Sequence, residues 1–368
     1  MTYKDSGVNY DVMDPFKRRA QQAARKTAGN ISRFNGGEFR EFEPSRGESV
    51  YLIEAAKSYF AHVEEGLGTK NLVADAMYAL TGKSYYDHIA QDAVAMIVND
   101  MSTLGALPLS VAMHLAVGSS NWFEDELRSD DLIRGWQHGC NLARCIWGGG
   151  ETPTLKDIVI PGTIVLSGSA MGIIKPKERL INGNIQHGDC IILLTSSGPH
   201  ANGFTLARTI AENHPDGYNA RLSDNRTYGE ALLDPTHIYV GFVEDCLDAG
   251  VEIHYGVNIT GHGWRKLMRA PGNFMYIIDV TPKPQPVFDF IREFGRVSDH
   301  EAYGNLNMGA GFALYVPQKY LTLVRHIHAK GNYPFDIIDA GDIMASSRKG
   351  VLIKPVGLEY DAESLAVR

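Results

Sequence analysis

No run of the sequence approaches about 18 apolar residues, so no membrane-spanning helix is expected. Its first residues, MTYKDSGVNYD, hold no apolar core segment, and a secretory leader is not expected either. Cysteine is scarce: only Cys140, Cys145, Cys190 and Cys246 occur, with no CxxC pair and no His/Cys metal spacing. Reduced structural thiols in a cytoplasmic protein fit that usage. Three Asn-x-Ser/Thr triplets, starting at Asn30, Asn225 and Asn258, are then chance matches. A basic surplus is missing too. The net charge is −8, from 35 Lys+Arg against 43 Asp+Glu, which argues against a binder of nucleic-acid backbones. The common catalytic signatures are absent. No GxGxxG follows a strand, there is no HExxH or GxSxG, and Gly82-Lys83-Ser84 has Met77 where a P-loop needs its first glycine.

What is present is an ordinary globular composition, 44% hydrophobic and 21% charged, over 368 residues, which is enough for two domains with ample cores. A basic, Ala-rich helix is expected over Pro15–Ala28 and a strand over Tyr59–Glu64. A strand-like run covers Leu107–Val117, a helix Asp125–Ile146, and a long β-rich stretch Val159–Ile174. The charged connection Pro176–Gly188 marks the domain boundary, giving domains 1–176 and 177–368. Helix and strand signals alternate beyond it, starting with a buried strand at Cys190–Thr195 and a helix at Phe204–Glu212. Two mixed α/β domains are the fold class expected.

The stretch Asp87–Gly105 is the central helix. Ile89, Ala93, Met96, Ile97, Met101 and Leu104 recur at spacings of three and four and should bury one side. Asp92 and Asn99, seven apart, share a face, and Asp100 lies one step round. Carboxylates among apolar residues are costly unless paired, protonated or bound to metal. The helix therefore carries either a solvated polar edge or two acids aimed at a cation. Three Gly-rich loops stand at element ends: Gly66-Leu-Gly-Thr-Lys70, Gly148-Gly-Gly-Glu-Thr152 and Ser196-Ser-Gly-Pro-His-Ala-Asn-Gly203. Such loops let backbone N–H groups approach an anion. Together with the acids they suit a phosphate ligand and Mg²⁺.

The segments YKDSGV (3–8), GLGTK (66–70), DAVAMIVND (92–100), GGET (149–152), SGPHANGF (197–204), LDPTHIYV (233–240) and NITGHG (258–263) occur in that order along nearly the whole chain. In this the sequence resembles the phosphoribosylformylglycinamidine cyclo-ligase (aminoimidazole ribonucleotide synthetase) family. The resemblance implies a homodimer joined through the N-terminal sheet, using ATP and Mg²⁺ to phosphorylate a formyl oxygen and close an imidazole ring. It implies that Lys4 and Asp5 close on ATP, and that Gly66, Gly68, Thr69 and Lys70 hold phosphate. Glu65, Asp92 and Asp100 would bind Mg²⁺, with Asn99 orienting. Gly149, Gly150, Glu151 and Thr152 would flank the nucleotide. His200 and Asn202 would face the substrate, His200 and Lys70 acting in catalysis, and Asn258 and Thr260 would take the substrate phosphate.

Three departures from that pattern stand out. Glu64-Glu65-Gly66 replaces an Asp-Gly, Pro153–Gly162 lacks the expected acidic residue of an Ala-Glu-Met-Pro-Gly loop, and His262 interrupts a glycine run. They leave room for two other readings: a small-molecule kinase or altered-substrate paralogue of the same superfamily, and a non-catalytic nucleotide-binding protein.

Overall fold

The computed structural model describes residues 10–34 and 36–365, which form two mixed sheets with helices packed on them. The first sheet contains β1 (Arg40–Glu41), β2 (Tyr51–Glu54), β3 (Tyr59–Gly66), β4 (Leu107–Val117), β5 (Ile146–Glu151) and β6 (Ile164–Ile174), in the order β1-β2-β3-β6-β4-β5. The second contains β7 (Asp189–Thr195), β8 (Tyr255–Asn258), β9 (Phe274–Ile278), β10 (Ala310–Pro317), β11 (Ile337–Ala345), β12 (Gly350–Ile353) and β13 (Leu358–Asp361), in the order β13-β12-β9-β11-β7-β10-β8. The helices are α1 (Tyr10–Arg25), α2 (Asn71–Thr81), α3 (Tyr86–Ser102), α4 (Glu126–Leu142), α5 (Phe204–Asn213), α6 (Tyr228–Leu232), α7 (Val240–Asp248), α8 (Pro286–Gly295), α9 (Asp299–Asn305) and α10 (Leu321–Lys330). The expected domain division falls in the connection between β6 and β7.

Patterning explains which strands are central. In β3 the residues Tyr59, Ala61 and Val63 are buried while His62 and Glu64 point out, the alternation of a strand covered on one face. In β7 and β10 nearly every residue is buried, as befits apolar runs with layers on both sides. The first sheet is covered on one face by α3, whose Ile89, Ala93, Ile97 and Met101 are all buried, with α4 packed behind it. Its other face is open and mixed in polarity: Val165 and Met171 of β6 are 51% and 52% exposed and Leu109 of β4 is exposed beside them, while His62 and Glu64 of β3 pair with Met171 and Ser169 on the same face.

The structure departs from the sequence reading at one functional segment. The helix expected to run to Ile146 ends at Leu142, and the glycine-rich stretch after it is the edge strand β5, paired in parallel with β4. Pairing partners overrode the local preference of glycine for turns. Here glycine is required by closeness, since a Cβ at Gly150 would lie 2.1 Å from the Met113 carbonyl oxygen. Helices α2 and α9 and strands β2 and β13, which the periodicity did not single out, are also present.

The α3–α4 crossing rests on Gly135 in the same way: a Cβ there would stand 2.1 Å from the Asp87 carbonyl oxygen. Gly135→Ala should cost about 2–3 kcal/mol of unfolding free energy in a guanidinium titration. Gly29→Ala, with open space at its Cβ, should stay within about 0.5 kcal/mol of the parent.

Candidate active site

Helix α3 presents a row of polar side chains to the irregular segment Leu233–Tyr239 of the second half. His88 Nδ1 donates to the Leu233 carbonyl at 2.8 Å, and Gln91 Nε2 to the Thr236 carbonyl at 2.9 Å. Asp92 Oδ1 accepts from the Thr236 backbone N–H at 2.7 Å and from its hydroxyl at 2.5 Å. Asn99 donates to the His237 carbonyl at 2.8 Å and accepts from the Tyr239 N–H at 2.9 Å. The spacing 88, 92, 99 keeps these groups on one helical face. They satisfy the backbone of a segment that joins no sheet, as a buried irregular chain requires.

Lys70 completes this seam. Both Lys70 and Asp92 have fully buried side chains, and they form an ion pair at 2.7 Å. The Lys70 ammonium also donates to the carbonyls of His200, at 2.7 Å, and Asp234, at 2.8 Å. The ammonium thus has two carbonyl acceptors and a carboxylate oxygen around it, although that oxygen, Asp92 Oδ2, is otherwise without a hydrogen-bond partner. Lys70, expected at a phosphate, and Asp92, expected at a metal ion, are instead each other's partners between the two halves. Burial raises the Asp92 carboxyl, and Lys70 and Thr236 pull against that rise. The Asn99 side chain, expected to orient a metal ligand, bonds to the second half's backbone.

His200 is likewise drawn inward. It is buried against Tyr239 and His237, with φ of 60°, and its Nε2 accepts from the Ser197 N–H at 3.4 Å. Burial, with His237 and Lys70 nearby, pushes its imidazole well below the ordinary value, so it is neutral. The ring that the resemblance assigns to catalysis thus stands in the buried seam.

The neighbouring face of α3 opens onto a cavity of about 320 Å³. Glu65 from the end of β3, Asp100 from α3, and Asn202, Thr260, His262 and Lys266 from the second half line it, with Lys17 of α1. Asp100 is 7% exposed and accepts from Asn258 Nδ2 at 2.8 Å. Lys266 Nζ donates to the Asn258 carbonyl at 3.2 Å and to Thr260 Oγ1 at 2.5 Å. Burial and the Asp100 charge push the Glu65 carboxyl up to about 7. Burial lowers the Lys266 ammonium to about 8, against the pull of Asp100. The Asn202 side-chain nitrogen is buried with no hydrogen-bond partner. This concave space holds an orphaned donor, which a polar ligand could meet, and two crowded carboxylates, whose repulsion a cation would relieve. Lys266 and Lys17 carried no sequence signal beyond charge, since neither lies in a glycine-rich loop.

The structure brings Glu65, Asp100, Asn202, Asn258 and Thr260 together. Gly66 and Gly68 lie just beyond Glu65, Gly68 with φ of 76° and open space at its Cβ, and Thr69 precedes the start of α2. Gly149, Gly150, Glu151 and Thr152 are elsewhere. Glu65 pairs with Gly168, Gly168 with Met113, and Met113 with Gly150, so β5 lies three ladder steps away. At the usual strand spacing that is about 14 Å. Lys4 and Asp5 lie outside the described residues. No cluster of three metal-ligating His, Cys, Asp or Glu side chains occurs among the described residues.

Comparison with known proteins agrees with the two-sheet division. Residues 53–174 match the family model of the AIR synthase related protein N-terminal domain, and residues 186–338 that of its C-terminal domain. The phosphoribosylformylglycinamidine cyclo-ligase of Methanocaldococcus jannaschii is 32% identical over 92% of this chain and 91% of its own. That of Pseudothermotoga lettingae is 34% identical over 96% and 99%. Among solved structures, the HypE–HypF complex superposes with a TM-score of 0.60 at 17% identity, covering 92% of this chain and 98% of that one. ThiL of Aquifex aeolicus with AMPPCP and TMP gives 0.57 at 13%, covering 86% and 90%. These structural likenesses establish the fold.

Two tests follow from the geometry. Lys70→Met strands a buried carboxylate and should cost about 3–5 kcal/mol in a urea titration. With Asp92→Leu added, the loss should fall short of the summed single losses by at least about 1 kcal/mol. Glu65 titrates at about 7 folded against 4.5 ordinarily, so its ionisation opposes folding. That penalty is absent below pH 4.5, grows as pH rises toward 7, and is complete above it. Glu65→Gln should therefore raise the melting temperature at pH 8, by the equivalent of about 3 kcal/mol, and leave it little changed at pH 4.5.

Proposed function

The chain belongs to the AIR synthase related family, and from that premise we propose that it is an ATP-dependent cyclo-ligase of purine biosynthesis. It converts formylglycinamidine ribonucleotide to aminoimidazole ribonucleotide, releasing ADP and phosphate. The observation that carries this reading is that the match to cyclo-ligases runs through both halves, whose seam forms the Glu65–Asp100 cavity. The γ-phosphoryl group passes to the formyl oxygen. The ring-forming nitrogen then attacks the formyl carbon, and the oxygen leaves as phosphate.

Glu65 and Asp100 fit a magnesium ion, because the Asp100 charge raises the cost of ionising Glu65 and a cation removes that cost. Mg²⁺ held there would neutralise phosphoryl oxygens. The backbone N–H groups of Gly66, Gly68 and Thr69 are the phosphate cradle. Asn202, Thr260 and Lys266 donate to the bound substrate, and Asn258 holds the Asp100 carboxylate in place. Lys4 and Asp5 keep the ATP-closing role that the resemblance implies. The enzyme is cytoplasmic and works as a homodimer, whose contact is the open sheet face around Val165 and Met171. In that dimer Gly149–Thr152 flank the nucleotide from across the interface. His262, buried in the cavity wall with φ of 67°, favours one second reading, an altered substrate of the same class.

Purified enzyme given ATP, Mg²⁺ and formylglycinamidine ribonucleotide should release ADP and aminoimidazole ribonucleotide in equal amounts. ATP turnover with a different acceptor, and none with this one, overturns the ligase reading. Asp100→Asn keeps the acceptor for Asn258 and should lower kcat/KM at least about 100-fold with an unchanged circular dichroism spectrum. Undiminished Mg²⁺-dependent ATP binding by this variant would remove Asp100 from the metal site.

A further inference from the structure

A second cavity, of about 700 Å³, lies in the other half of the molecule between the end of β7, the loop before α8 and the residues leading into β11. It shares no lining residue with the Glu65–Asp100 cavity. Its volume is in the range of small-molecule sites, roughly 300–1,000 Å³. Four aromatic or imidazole rings stand in its wall. His328 and Tyr333 stack at 5.9 Å with an interplanar angle of 23°, and Tyr333 and Phe335 at 5.5 Å with 26°. His237 closes the row 5.9 Å from Phe335. The polar edges of two rings are pinned from behind: His328 Nε2 donates to the Phe335 carbonyl at 2.6 Å, and the Tyr333 hydroxyl donates to Asp245. The wall therefore has a fixed shape, and a flat ring can lie against it.

Gln285 lines the same cavity and sets the chemistry. Its Nε2 donates to the Ser196 carbonyl, which fixes the amide's orientation, and its Oε1 is buried with no hydrogen-bond partner. A buried acceptor without a donor is costly, so the position favours a ligand that brings an N–H. The Asp336 carboxylate at the exposed rim is an acceptor for hydroxyl groups. A flat ring with an N–H donor, attached to a polyhydroxy group, satisfies all three features. We infer that this cavity binds a 6-oxopurine nucleoside: the base lies along the aromatic wall, its ring N–H meets Gln285, and its ribose hydroxyls meet Asp336.

Inosine is the probe, titrated calorimetrically into the full-length protein with the first cavity saturated by Mg²⁺ and a non-hydrolysable ATP analogue. One saturable equivalent per chain is expected. Gln285→Leu should weaken it at least tenfold and Asp336→Asn severalfold, with ring-closing turnover unchanged in both. Equal affinity in the parent and both variants overturns the assignment. So does an absence of saturable heat, or binding that disappears when the ATP analogue is present, which would place inosine in the first cavity. The binding readout stands whether or not the ring-closing reaction is observed.

Discussion

The Lys70–Asp92 ion pair is the contact on which the arrangement of the two halves depends. Two full charges without solvent contact are tolerable only as partners, and each also hydrogen-bonds to the opposite half, Lys70 to the His200 and Asp234 carbonyls and Asp92 Oδ1 to Thr236. A buried pair of this kind adds little stability over a well-packed apolar contact, because desolvation offsets the attraction. Its effect is on register. A slip of segment 233–239 along α3 would strand a cation, a carboxylate and several backbone groups at once, each at a cost of kilocalories. The seam therefore has one setting, and the cavity walls drawn from both halves inherit it.

The cavity is electrostatically opposite in design. Its charges are crowded but not saturated: Glu65 and Asp100 repel each other, and Lys266 offsets them only in part because burial weakens its own charge. Groups left under such tension respond to a ligand, whereas those of the seam do not. A cation relieves the carboxylates, and a phosphate relieves the lysine. One helix carries both designs, for Asn99 locks the seam and Asp100, about 100° further round, faces the cavity.

This division explains what could be read in the sequence. The two-domain α/β class, the strand Leu107–Val117 and the central helix follow from hydrophobic periodicity, which is local. That polar groups sat on a buried helix was equally plain. Which of them face a ligand was not, because the partners of Asp92 and Asn99 lie about 140 residues away. The glycines of Gly148–Gly150 read as a loop for the same reason: only contact with β4 makes them a strand. Lys266 escaped because a lysine in a 3-10 turn looks like a surface residue until the turn is seen to be buried.

The placement of His200 carries the argument one step further. A histidine in a glycine-rich loop invites a catalytic role, yet here its carbonyl serves as an acceptor for Lys70 and its ring as a neutral packing unit beside Tyr239. Gly311 admits that ring, since a Cβ there would come within 2.5 Å of His200 Cε1. The left-handed turn at His200 then points the chain so that Asn202, two residues on, reaches the cavity with an unmet donor. The loop thus acts as a lever: it is anchored in the seam at His200 and presents its working group at Asn202. Chemistry in the cavity is then sensitive to seam residues that never touch the ligand.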